Sequence, residues 1–173
     1  MGAHAESTLA HQSDIQIART AEQIADTFDV MHQLRPHLVR QQYVQMIRYL
    51  MKKEGFQVAA LRERDVVRSV AGFRVITMLY RGRILQVDDL VTAASSRSSG
   101  HGAMMLDWLK KEAEKRQCIE IQLISLTFRL DAHRFYERHG FLTQCRHFCY
   151  PLAETSQGEL PSAFPTSGKR LSQ

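Results

Sequence analysis

The sequence predicts an α+β fold, a central mixed sheet flanked by helices, on three observations. Three β-rich runs, 56–61, 67–79 and 84–92, are separated only by the short polar turns Glu63-Arg64-Asp65 and Arg81-Gly82, which makes an antiparallel meander. The third run leads through a small-residue loop into a helical pattern and then into the apolar run 119–126. A strand–helix–strand crossover of that kind is parallel and right-handed. Helix-period patterns also precede the meander and follow the fifth strand, giving the order β-α-α-β-β-β-α-β-α-β.

Taken in order, Ile15 to Ala18 reads as a short first strand. Thr20 is a helix cap with Glu22 and Gln23 in the first turn, and Ile24, Phe28 and Met31 follow at helical spacing. Pro36 separates this helix from a second, 39–53, whose stripe is Tyr43, Met46, Ile47, Leu50 and Met51 and which Gly55 stops. After the meander comes a helix from Ala103 to Arg116, with Leu106, Leu109 and Ala113 as its buried stripe and Met105 and Trp108 beside it. The run 119–126 is apolar enough to be central in a sheet. Asp131 caps a last helix, 132–138, ended by Gly140, and 141–151 offers one or two final strands. Residues 1–14 read as a disordered leader, 15–152 as one domain and 153–173 as a disordered tail.

The chain has 173 residues, enough for one sizeable core. No apolar run nears the roughly 20 residues of a membrane span. Residues 1–14 lack an apolar signal core, and Glu6 breaks the myristoylation pattern, so a cytoplasmic protein is expected. The three cysteines, Cys118, Cys145 and Cys149, have no C-x-x-C spacing and read as free thiols. Cys145, His147 and Cys149 would share one face of a strand, but no second ligand pair accompanies them, so no metal is expected. The formal charge of +5 is spread along the chain without interleaved aromatics, so nucleic-acid binding is not expected.

The most informative stretch is Asp88-Asp89-Leu90-Val91-Thr92 followed by Arg97-Ser98-Ser99-Gly100-His101-Gly102-Ala103. It reads as a strand, a loop and a helix start. The first amides of a helix have no partner within it and the dipole there is positive, while glycines let an anion approach the backbone. The segment is shaped for a phosphate or pyrophosphate, against the plainer reading of a glycine-rich turn that merely starts a helix. A dinucleotide fold would want a third glycine where Met105 stands, and a P-loop would want Gly-Lys-Ser/Thr.

Arg-x-x-Gly-x-Gly after such a strand resembles the acyl-CoA motif of the GNAT N-acetyltransferases. The stretch Ala132-His133-Arg134-Phe135-Tyr136 with Gly140-Phe141 is similar to that family's second signature, and the element order agrees over about residues 15–150. The resemblance implies acetyl-CoA as co-substrate, an amine-bearing acceptor, and direct transfer through a ternary complex. It places the pantetheine arm along Leu90, Val91 and Thr92 and the pyrophosphate on Arg97, Ser98, Ser99, Gly100, His101, Gly102 and Ala103. Arg129 stands where many members carry an asparagine that touches the cofactor, and could salt-bridge a CoA phosphate instead.

Acetyl transfer to an amine needs a polarised carbonyl, a base and an acid for the departing thiolate. The resemblance points to Tyr136 as the acid and to backbone N–H near Leu90 or Val91 as the carbonyl donor. Asp88 and Asp89, consecutive in a strand, are expected on opposite faces. Asp88, with Gln86, falls on the face where family members carry the base, and it could act through a water. His133, His139 and His147 are lesser candidates. The other reading is a non-catalytic GNAT module that binds acyl-CoA as a sensor or scaffold. A last strand of this kind also offers a surface for homodimer pairing.

Overall fold

A computed structural model describes residues 13–150 of the protein, so the expectations for 1–12, for Pro151 and for the tail lie outside the described residues. The order is β1 (Ser13–Ile17), α1 (Ala21–Asp26), α2 (Phe28–Leu34), α3 (Arg40–Glu54), β2 (Gln57–Glu63), β3 (Val66–Met78), β4 (Gly82–Thr92), a single 3-10 turn (Ala94–Ser96), α4 (His101–Lys115), β5 (Glu120–Leu123) and α5 (Leu130–Arg138). The strands form one sheet in the order β1-β2-β3-β4-β5, antiparallel throughout except for the parallel β4–β5 pair. The predicted mixed α+β architecture is therefore present. Among the described residues no helix is long and apolar enough to cross a membrane.

Each face of the sheet carries its own core. On one, α1–α3 bring Ile24, Phe28, Met31, Tyr43 and Ile47 onto Val58, Val70 and Val91. On the other, α4 brings Met105, Leu106, Leu109 and Ala113 onto Leu61, Phe73, Leu85 and Val87, with Phe135 of α5 packed against them. The tight turn at Arg64 and Asp65 puts both residues at positive φ (50° and 64°), as a two-residue hairpin requires. Gly55 closes α3 in the left-handed conformation, as its position predicts.

Four expectations change. The first predicted helix is broken at Thr27, because the Thr27 hydroxyl donates to Ile24 O (2.7 Å) and shares a hydrogen bond with the buried Tyr43 hydroxyl (2.8 Å). That burial pushes the Tyr43 hydroxyl up to about 12, with the Thr27 bond acting against it. The first strand begins at Ser13, inside the expected leader. The last helix begins at Leu130 with Arg129 at its cap; Asp131 lies in the first turn and pairs with Arg134 along the helix. Finally, β5 is a short edge strand rather than a central one, because 141–150 form no strand that could cover it. Cys145, His147 and Cys149 therefore share no strand face, and no metal-holding group of His, Cys, Asp or Glu occurs among the described residues.

Gly72 of β3 marks the tightest packing near the cleft described below. A Cβ there would lie 2.5 Å from Phe56 Cζ and 2.9 Å from Asp89 Oδ2. Gly72→Ala is expected to lower stability by about 1–3 kcal/mol through overpacking, seen as a lower denaturation midpoint at unchanged m-value. Wild-type stability would mean that Phe56 and Asp89 move aside freely.

Candidate active site

The site begins with a break in the β3–β4 ladder. Phe73 pairs with Val87 and Gly72 with Asp89, so Asp88 is an extra residue, a β-bulge. The bulge shifts the side-chain alternation. Leu85, Val87 and Leu90 face α4, whereas Val91 faces the opposite core with α1–α3. Asp89 lies over Gly72 on that second face. Asp88 accepts a hydrogen bond from Arg74, which shares its strand face with Gly72. The two aspartates therefore do not point to opposite faces as the unbulged pattern implied.

Pairing between β4 and β5 also ends here, with Val87 opposite Leu123. Beyond it β4 continues along β3 to Thr92, while the other chain turns away through Ile124 to Arg129 into α5. The strands part, and among the described residues the β5-facing backbone of 88–92 has no strand partner. The cleft so opened is lined by Val87, Asp88 and Leu90 on one wall and by 123–126 on the other. Arg35 contributes to the lining from α2, as do Arg129 and Tyr136 at α5. It thus brings together both sequence-predicted catalytic residues.

Asp88 Oδ2 accepts from Arg74 Nε at 2.8 Å, and Arg74 also reaches Glu54 at 3.4 Å. Burial raises the Asp88 carboxyl above its ordinary range, opposed by Arg74 and assisted by the neighbouring Asp89 charge. Asp89 is held by Arg35 Nε at 2.7 Å, and the same guanidinium donates to Asp88 O at 3.2 Å. Arg35 so ties the end of α2 to the bulge. Tyr136 is half-buried between the rings of Phe135 and Phe141, and its hydroxyl has no hydrogen-bond partner among the described residues. Burial pushes that hydroxyl up, and the Arg129 charge opposes the rise.

The predicted phosphate loop follows β4. Arg97, Ser98, Ser99 and Gly100 are exposed, with Ser98 and Gly100 at positive φ (63° and 82°). Gly100 caps α4 without any side-chain hydrogen bond, and Met104 N–H is the first to find a helical acceptor, Gly100 O at 3.0 Å. The amides of His101, Gly102 and Ala103 have no partner among the described residues and carry the positive end of a 15-residue helix. Gly102 allows this helix start to approach the strand end: a Cβ there would lie 3.2 Å from Thr92 Oγ1 and 3.5 Å from Phe135 Cζ.

Not every expected residue presents its side chain. Val91 is in the core and Leu90 is half-buried, so they offer the strand's backbone. Thr92 Oγ1 lies 3.3 Å from Ser69 Oγ. The His101 ring is buried and turned inward, leaving only its amide at the surface of the helix start. His133 bonds Leu126 O (3.0 Å) and His139 bonds Phe135 O (2.8 Å), which are local structural roles. Arg35 and Arg74 were not foreseen; only the strand register and the end of α2 bring them to the aspartates.

A larger depression, about 610 Å³, lies between β1 and the C-terminal half of α4 and shares no residue with the cleft. Two of its cations, Lys115 and Arg116, pair with Glu112.

Comparison with known proteins agrees with the fold. Residues 20–141 match the model of the acetyltransferase (GNAT) family. An uncharacterized N-acetyltransferase of Bacillus subtilis, YhdJ, is 33% identical over 132 residues, covering 76% of this chain and 93% of the relative. Among solved structures, the aminoglycoside N-acetyltransferase AAC(6')-Iy in complex with CoA superposes with a TM-score of 0.71 at 11% identity, over 83% of this chain and 97% of that one. A ribosomal-protein-alanine N-acetyltransferase from Brucella melitensis superposes with a TM-score of 0.70 at 15% identity, over 82% of this chain and 100% of that one. These structures share the fold. With the family model spanning most of the domain and a relative at one-third identity, the chain belongs to the GNAT acetyltransferase family.

Proposed function

We propose that the protein is an acetyl-CoA-dependent N-acetyltransferase that moves an acetyl group to a primary amine by direct transfer in a ternary complex. The observation that carries this reading is that Asp88 and Tyr136 line one cleft, opened by the parting of β4 and β5. In it the pantetheine arm lies along the backbone of Leu90, Val91 and Thr92. The pyrophosphate sits on the loop Arg97, Ser98, Ser99 and Gly100 and on the amides of His101, Gly102 and Ala103. Arg129, exposed and without an ion pair among the described residues, neutralises a phosphate.

In the reaction the amine nitrogen attacks the thioester carbonyl, whose developing negative charge is met by backbone N–H near Leu90. The carbon–sulfur bond breaks, the thiolate takes the Tyr136 phenolic proton, and the proton of the attacking amine passes to Asp88 through a water. A phenol suits this task, because thiol and phenol pKa values lie within about two units of each other. None of the three cysteines lines the cleft, so no acyl-cysteine step is invoked.

Turnover is measured as free thiol release with a panel of primary amines: a polyamine, a lysine peptide and an aminoglycoside. Tyr136→Phe is expected to lower turnover on the order of 10²-fold with little change in the acetyl-CoA KM. Unchanged turnover would remove Tyr136 from the chemistry. Asp88→Asn is expected to lower activity roughly 10- to 100-fold near neutral pH, and progressively less as pH approaches the amine's own pKa, where the acceptor is already neutral. In the native enzyme the base form is lost as pH falls through Asp88's raised pKa, so activity falls on that side. A loss that is the same at every pH would make Asp88 structural.

A further inference from the structure

The loop Arg97–Gly100 is exposed along its length, yet it holds Ser98, a non-glycine residue, in the left-handed conformation. Such a conformation is strained for a residue with a side chain and persists only where the surroundings impose it. Two buried residues stand at the ends of the loop. Ser96 and His101 are both buried, 4% and 6% exposed. His101 Nδ1 lies 3.3 Å from Ser96 O, closing the loop across its base.

The same pair is tied to the sheet beneath. His101 Nε2 faces Glu63 Oε1 at 3.9 Å, at the end of β2. Arg68 of β3 reaches the other Glu63 oxygen at 3.2 Å and donates to Ser96 Oγ at 3.4 Å. Arg68 O also accepts the Ala93 amide at 2.8 Å, just before the 3-10 turn. Both ring nitrogens of His101 thus face oxygens, and the imidazole bridges the helix start, the loop base and the sheet.

Resting on the acyl-CoA reading above, we propose that the buried Ser96 and His101 and the half-buried Glu63 and Arg68 form a strut that pre-sets the phosphate-binding loop. The His101 side chain is then a positioning residue, not a ligand. None of the strut side chains reaches the cleft, so their effect falls on the phosphates and not on the acetyl-bearing arm. Holding the loop in its bound shape before the ligand arrives removes an ordering cost that would otherwise weaken binding.

The test compares CoA with S-acetylpantetheine, which lacks the pyrophosphate and nucleotide. Glu63→Ala is expected to weaken CoA binding about 5- to 10-fold by calorimetric titration of the full chain, with S-acetylpantetheine affected less than about twofold. Ser96→Ala removes one hydroxyl and is expected to cost about two- to threefold, and the double variant less than the product of the two, because both act on one loop. Ser96→Ala also provides a reading should Glu63→Ala fail to fold. Equal weakening of both ligands, unchanged CoA binding by the variants, or strictly multiplicative effects would overturn the strut. If the wild-type protein itself bound no CoA, the acyl-CoA reading would fall first and the strut with it.

Discussion

The candidate site depends on one extra residue in β4. Were Asp88 an ordinary paired residue of the ladder instead of a bulge, the alternation set by Leu85 and Val87 would turn Asp89 into the apolar core under α4 and Leu90 away from it. An unpaired carboxylate in that core would cost several kcal/mol. With the bulge, Leu90 takes the buried position and Asp89 meets Arg35 on the other face. The bulge sits where β5 leaves β4, so the irregularity that re-aims the aspartates coincides with the opening of the cleft. Gly72 is the counterpart on β3: its missing side chain is the space that Phe56 and Asp89 occupy.

Charge is distributed to match this frame. The Asp88 and Asp89 carboxylates and the Asp88 carbonyl are met by two arginines from elements far apart in sequence, Arg35 at the end of α2 and Arg74 in β3. Past the end of β4 the positive pole of α4 has no side-chain cap, and the exposed Arg97 lies in the loop before it. An elongated ligand with anionic groups at one end and a neutral reactive group at the other matches both ends. In the proposed complex the strut beneath the loop adds rigidity at the end that takes the phosphates.

Much of this was legible in the sequence because it rests on local chemistry. The tight turns fix the meander, the glycines after a β-branched strand mark the helix start, and the two separated signatures identify the family. What was not legible depends on partners distant in the chain. The bulge follows from how Gly72 and Phe73 pair with β4, and nothing near Asp88 announces it. The break at Thr27 needs the Tyr43 hydroxyl from α3. His101 belongs to the phosphate motif by position, but its ring is claimed by Ser96 and Glu63. One or two final strands were expected over 141–151, yet the side chains of 142–150 are exposed and β5 keeps a free edge among the described residues.

The central claim is that acyl-CoA is held by two sets of free backbone amides, those after the bulge and those at the start of α4. Backbone hydrogen exchange of the full chain with and without saturating CoA tests it most directly. Slowed exchange at amides 98–104 and 88–92, with little change elsewhere, is the expected result. Protection absent from both stretches, or confined to the depression around Trp108, would contradict it.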